Sequence, residues 1–245
     1  MSKLKDHLPA LVAAVVIVVL IACTCRVTYI PDPVQETTID ETGVVVVVEE
    51  LSVAEQYCQD NWDSLMMPTI QERAQDIATM LPMIREDLAA AGDQYASREN
   101  ETSPYSFCLS GTVQVLESEE PDRATRTRLV IDVQPYDGEP DAKIQVSSVI
   151  RTNALRDAVG FLKLDDFANQ VEFADLTTAF NAHVQETVIA GLDIASLEGQ
   201  EVDFLGCVAI NEYTEPDDFL IVPVELGPKA GDCLLYTSSN ASIAA

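Results

Sequence analysis

The sequence predicts an α+β protein, with N-terminal helices followed by an antiparallel OB-like β-barrel that carries a helical insertion between strands three and four. Three observations predict it. Apolar residues recur in steps of four and three from Ile70 to Leu88, which marks one face of a helix. The period then falls to two over Thr112–Leu116 and Thr127–Val133, as half-buried strands require. A helical interval separates the third strand from the last two, and that is the element order of an OB barrel, whose closure removes exposed strand edges.

The chain opens with an export signal. Lys3 and Lys5 precede Leu8–Ala22, a stretch without charge that is rich in Val, Leu, Ile and Ala. It has the length of a signal-peptide apolar region and falls short of the roughly 20 residues that a membrane span needs. Leu20-Ile21-Ala22-Cys23 closes it in the pattern of a bacterial lipobox. That pattern implies cleavage before Cys23 and acylation of Cys23, with the attached chains holding the protein at a membrane. The alternative is an uncleaved single-pass anchor that runs on to Cys25 and stops at Arg26. Both place the bulk of the chain on the periplasmic side of the cell envelope, anchored to one of its membranes.

Five segments follow from composition: residues 1–22 as signal peptide, 23–43 as a lipid-anchored tether, 44–95 as a helical part, 96–227 as the OB-like part and 228–245 as a flexible tail. The tether is acidic and holds Pro31, Pro33 and Thr37-Thr38. Val44–Val48 is five valines, a short strand. A first helix is expected over Ser52–Met67, with Tyr57, Trp62 and Leu65 turned inward. A second is expected to start at Thr69, where Thr69 and Glu72 match a capping box, and to kink or split near Met80 because of Pro82. Residues 95–110 read as a polar loop. After the first two strands comes the turn cluster Tyr136–Pro140, and then a third strand at Lys143–Val149. Asn153–Leu162 reads as a helix, and Phe173, Leu176, Phe180, Val184 and Val188 line another. Glu201–Ile210 and Phe219–Leu226 are the closing strands.

Charge narrows the function. The chain has 14 Lys and Arg against 41 Asp and Glu, a net −27. Such a surface repels phosphate backbones and argues against nucleic acid as a partner; it suits a salty medium, where repulsion is screened. The six cysteines, Cys23, Cys25, Cys58, Cys108, Cys207 and Cys233, show no C-x-x-C and no metal-type spacing. Cys207 lies in an apolar strand and reads as a core residue; the spacing assigns no disulfide pair. His183 is the one histidine beyond the leader, so a multi-histidine metal site is excluded and no cofactor is expected. Asp165-Asp166 and Asp217-Asp218 have the form of a glycosidase acid–base pair, but with so many carboxylates a pair carries no information.

Two segments stand out. One is Ile144-Gln145-Val146-Ser147-Ser148-Val149-Ile150-Arg151-Thr152-Asn153-Ala154-Leu155-Arg156-Asp157-Ala158, and the other is Phe167-Ala168-Asn169-Gln170-Val171-Glu172-Phe173-Ala174. Together they closely resemble a bacterial family of predicted periplasmic lipoproteins, domain of unknown function 2291. Its pattern runs Ile-Gln-x-Gly-Pro-Val-Ile-Arg-Gly-x-Ala-Leu-Arg-Asp-Ala, then Phe-x-Asn-Gln. The likeness extends more loosely from Trp62 and Pro68 to Pro223-Val224. This chain departs at Ser147-Ser148, in place of Gly-Pro, and at Thr152, in place of Gly. The family has no established activity, so the resemblance carries over no catalytic residue. Its frequent gene neighbours, sugar import systems of the ATP-binding-cassette type, imply a role near carbohydrate uptake.

The same residues have a direct reading. Arg151 and Arg156 are scarce cations of the type suited to bidentate recognition of carboxylate or phosphate. Asn169 and Gln170 offer amides of the kind that bind sugar hydroxyls. The structural alternative pairs Arg156 with Asp157 or Asp166 and makes Asn169 a helix cap. The expectation is a non-enzymatic, membrane-anchored binding or accessory protein near sugar uptake. An envelope-polymer hydrolase and a structural scaffold are the other readings.

Overall fold

The computed structural model describes residues 36–39, 45–48, 51–120, 126–215 and 218–229. The signal peptide, Cys23, Cys25, most of the tether, Asp217 and the tail from residue 230, with Cys233, lie outside the described residues. The chain divides into two units, residues 1–50 and 51–245. In the first, β1 (Glu36–Ile39) pairs antiparallel with β2 (Val45–Val48), Glu36 opposite Val48. The valine run is a strand as expected, and its partner comes from the Thr37-Thr38 part of the tether, where branched side chains favour extended backbone.

The second unit begins with α1 (Val53–Asn61). Its start is a capping box: the Ser52 hydroxyl accepts from the Glu55 amide at 3.2 Å, and the Glu55 carboxylate accepts from the Ser52 amide at 2.7 Å. A π turn over Trp62–Met66 leads directly into α2 (Met67–Arg73). The expected helix start at Thr69 is therefore corrected. Thr69 sits mid-helix, and its hydroxyl donates to the Leu65 carbonyl at 2.7 Å. The wide turn falls just before Pro68, where a regular turn would press the ring against the carbonyl of Ser64.

The actual break is at Ala74, whose backbone is extended. Next come the two-residue strand β3 (Gln75–Asp76), α3 (Ile77–Glu86) and α4 (Leu88–Tyr95). Asp76 and Asp87 cap the two helices by accepting from Thr79 and Ala90 amides, each at 3.0 Å. α3 runs through Pro82 without splitting at Met80: Pro82 faces solvent, while Ile77, Met80, Leu81 and Ile84 are buried. The stripe from Ile70 to Leu88 is thus shared by three helices that turn the same side to the core.

Five longer strands follow: β4 (Tyr105–Glu119), β5 (Arg128–Val133), β6 (Ala142–Gln145), β7 (Glu201–Ile210) and β8 (Leu220–Pro228). β4 pairs antiparallel with β5, and β5 with β6; β6 runs parallel to β8, β8 antiparallel to β7, and β7 antiparallel to β4. The ladder of pairings thus returns to its first strand. β3 adds a short parallel edge beside Leu109 and Ser110 of β4.

β4 starts at Tyr105, inside the stretch expected to be a loop. Ser106, Phe107, Cys108 and Leu109 are all buried, so the segment lacks the alternation that betrays a strand with one wet face. Gly206 of β7 sits at an irregularity in the β7–β8 ladder; a Cβ there would come 2.6 Å from the Val222 carbonyl, so the close approach requires glycine.

Between β6 and β7 lie α5 (Ala154–Ala158) and α6 (Gln170–Val184), the latter extended by a π turn over Gln185–Ile189. α5 is shorter than the expected Asn153–Leu162, since Gly160 takes a φ of 78° and ends the helical path. β8 reaches Pro228, one residue past the expected boundary at 227, and Lys229 bonds to Glu201 through both its amide, at 3.1 Å, and its ammonium, at 2.9 Å. Among the described residues no helix is long and apolar enough to cross a membrane.

Candidate functional site

The two segments singled out in the sequence meet through Arg156 and Phe173, but their five candidate residues do not line one hollow. Arg156 is buried, and its Nε donates to Asp157 Oδ1 at 2.7 Å. Nη1 donates to the Phe173 carbonyl at 3.3 Å, and the guanidinium lies 3.8 Å over the Phe173 ring. Arg156 and Asp157 therefore tie α5 to α6. Asn169 is the N-cap of α6: its Oδ1 accepts from the amides of Val171 and Glu172, at 2.9 and 3.0 Å. Gln170 is the exposed first residue of that helix. Of the five, Arg151 alone lines a concavity, and it has no ion pair among the described residues.

That concavity has a volume of about 580 Å³. Arg126 lines it from just before β5, Arg128 from the start of β5, Gln145 from the end of β6, and Ser147, Val149, Arg151 and Thr152 from the loop after β6. Ala209 of β7 and Asp218 and Leu220 at the start of β8 complete it. Three of the chain's 14 basic residues thus face one hollow, with Asp218 as the one carboxylate among the described residues that line it. Asp218 is already engaged by Arg128 at 3.5 Å and Lys143 at 3.1 Å. Arg126 and Arg151 are exposed, and neither has an ion pair among the described residues. In a chain of net charge −27 this is a local reversal of sign.

The loop that carries Arg151 is fixed from both sides. The Gln145 amide donates to Ser147 Oγ at 2.8 Å and to the Val149 carbonyl at 3.1 Å, and Ser147 Oγ donates to that same carbonyl. From α6 the buried Asn181 donates to the Thr152 carbonyl at 3.0 Å and the Ile150 carbonyl at 3.4 Å. Thr152 Oγ1 accepts from the Ala154 amide at 3.2 Å and starts α5. Ser147 and Thr152, where the chain departs from the family pattern, thus supply hydroxyl bonds to the turn. A second hollow of about 550 Å³ lies between this loop and α6. Arg151 borders both, and in the second Thr177 Oγ1 and Asn181 Oδ1 are buried without a partner among the described residues.

Guanidinium groups that converge on a hollow of this size can recognise carboxylates or phosphates through paired N–H donors. His183 is not among the residues that line the hollow. Its ring lies against Trp62, tilted by 46° with centroids 4.3 Å apart, and burial holds it below its ordinary value against the opposing pull of Asp63 and Glu186. Asp165 and Asp166 are exposed in a short 3-10 turn. Among the described residues there is no cluster of His, Cys, Asp or Glu fit to hold a metal. The sequence reading missed Arg126 and Arg128. Its available signal was the run Arg123-Ala124-Thr125-Arg126-Thr127-Arg128, dense in cations for so acidic a chain.

The comparisons agree with this architecture. The crystal structure of an OB-fold protein from Thermotoga maritima superposes with a TM-score of 0.59 at 17% identity, over 74% of this chain and 100% of that one. At that identity the likeness concerns the fold alone. Among curated proteins none matches. The sequence profile of predicted periplasmic lipoproteins, domain of unknown function 2291, matches residues 14–227, and the chain belongs to that family.

Proposed function

We propose that the protein is a non-enzymatic binding lipoprotein, anchored through Cys23 on the periplasmic side of the envelope, that holds a small anionic ligand in the hollow of Arg126, Arg128 and Arg151. The ligand class that joins this chemistry to the setting of sugar ABC-type uptake is an acidic sugar. One observation carries the reading: two exposed arginines without carboxylate partners among the described residues, beside a third, in a protein of net charge −27. Dispersal over the surface would lower their mutual repulsion and use them as ordinary counter-charges. Their convergence favours a negative group between them.

The fold supports the same place. The returning ladder of β4, β5, β6, β8 and β7 reads as a closed OB barrel with its helical insertion between the third and fourth strands. Proteins of that architecture bind ligands over strands two and three and the loops before strand two and before strand five. Here those are β5, β6 and the segments that present Arg126 and Asp218. A volume of about 580 Å³ fits a small molecule rather than a polymer.

The test is calorimetric titration of the full-length, detergent-solubilised protein with hexuronates and with the matching neutral hexoses. Saturable binding of the acid with no heat from the neutral sugar supports the reading. Equal binding of both, or binding of neither by protein shown to be folded, removes it.

A further inference from the structure

Cys108 lies in β4 and Cys207 in β7, directly opposite one another in the antiparallel ladder. Opposed residues in such a ladder have Cα atoms about 4.5–5.5 Å apart, inside the 4.4–6.8 Å span of disulfides. Both side chains point to the same face, and the sulfurs are 3.8 Å apart. Bond formation therefore needs an approach of roughly 2 Å, within the reach of side-chain rotation. Both residues are buried, beneath the Ala158 carbonyl of α5. The third described thiol, Cys58, faces the Ala179 carbonyl of α6 instead. Thiol pairs left in contact in an oxidising compartment do not stay reduced.

We infer that Cys108 and Cys207 are joined by a disulfide in the exported protein, linking β4 to β7 where the ladder returns on itself. The inference rests on the periplasmic location. Its chemistry is thiol–disulfide exchange with an exported oxidant that itself carries a disulfide. The Cys108 thiolate attacks one oxidant sulfur and the other leaves as thiolate. Cys207 then gives up its proton and attacks the Cys108 sulfur of the mixed disulfide, releasing the oxidant as a dithiol. Two protons and two electrons leave the protein, and one S–S bond forms. In the folded protein the two thiols differ. The hydrogen bond from Cys207, with the Arg73 guanidinium nearby, holds Cys108 below the ordinary thiol value against the effect of burial. The contact with Cys108 and complete burial push Cys207 well above it. Exchange takes place during folding, before α5 covers the pair.

The test is mass spectrometry of the full chain taken from acid-quenched cells, alkylated in denaturant without reductant, and digested. The expected result is a Cys108–Cys207 linked peptide about 2 Da lighter than the two thiol peptides, lost on reduction, with Cys58 alkylated in full. Alkylation of both Cys108 and Cys207 in protein from the membrane fraction overturns the inference. If fractionation instead finds the chain in the cytoplasm, the location fails separately. Reduced, denatured protein is then refolded in the presence of oxidised glutathione: the linked peptide upholds the pairing and free thiols overturn it.

Discussion

Arg156 and Asp157, neighbours in the chain, bond to one another through their side chains at 2.7 Å while both are buried between α5 and α6. Replacing Arg156 with Met leaves the Asp157 carboxylate buried without its cation. The expected loss is about 3–5 kcal/mol in urea unfolding. Replacing both residues with apolar ones restores much of it, because no uncompensated charge remains. Arg151→Gln changes stability by less than about 0.5 kcal/mol, as an exposed side chain without an ion pair among the described residues should. Equal losses for Arg151 and Arg156 variants would mean the two arginines share one role.

The helix start at Ser52 is tested by a pair of single changes. Ser52→Ala removes an amide's acceptor and costs about 1 kcal/mol. Thr69→Ala costs less than half of that, because Thr69 caps nothing and alanine suits a helix interior. Chemical melts that ranked the two in the opposite order would place the helix boundary at Thr69 after all.

His183 gives a pH signature. Burial holds its folded value below the ordinary one near 6.5. The unfolded chain therefore takes up the proton first as pH falls. Stability drops as pH falls through the ordinary histidine value and levels off once the folded protein is protonated too; above that window the group contributes nothing. His183→Gln should flatten that part of the melting-temperature profile relative to the parent protein. An identical profile in the variant would assign the whole slope to carboxylates.

Much of the fold was legible because its signals are local. Glu201–Ile210 appeared at its true bounds, since Phe204-Leu205-Gly206-Cys207-Val208 is apolar and is bounded by polar segments. β4 was misread at its start, because a strand buried on both faces shows no alternation and Ser106 looks like loop composition. Thr69 was misread because a capping signature is only a cap where the chain enters a helix, and Pro68 before it was absorbed by a π turn. The hollow was not legible at all. Arg128 and Gln145 become neighbours through the β5–β6 register, and Arg151 is delivered by a loop that Asn181 holds from α6. None of those meetings leaves a spacing in the sequence. In the motif that drew attention, Arg156 and Asp157 bond to one another and to α6, and Asn169 caps α6.

Anchoring is tested at Cys23, which follows Leu20-Ile21-Ala22. Cys23→Ala should abolish metabolic labelling with palmitate and leave an uncleaved precursor. Labelling that survives the change would point to another acylation site.

The central claim is that Arg126 and Arg151 hold a negative group. The direct measurement is titration of a hexuronate into the wild-type protein, Arg126→Gln and Arg151→Gln, each checked for an unchanged melting temperature. A charged hydrogen bond contributes about 1.5–3 kcal/mol. Each variant should therefore bind at least about tenfold more weakly, and affinity in the wild type should fall as salt rises. Variants that bind as tightly as the wild type, with no dependence on salt, would contradict the claim.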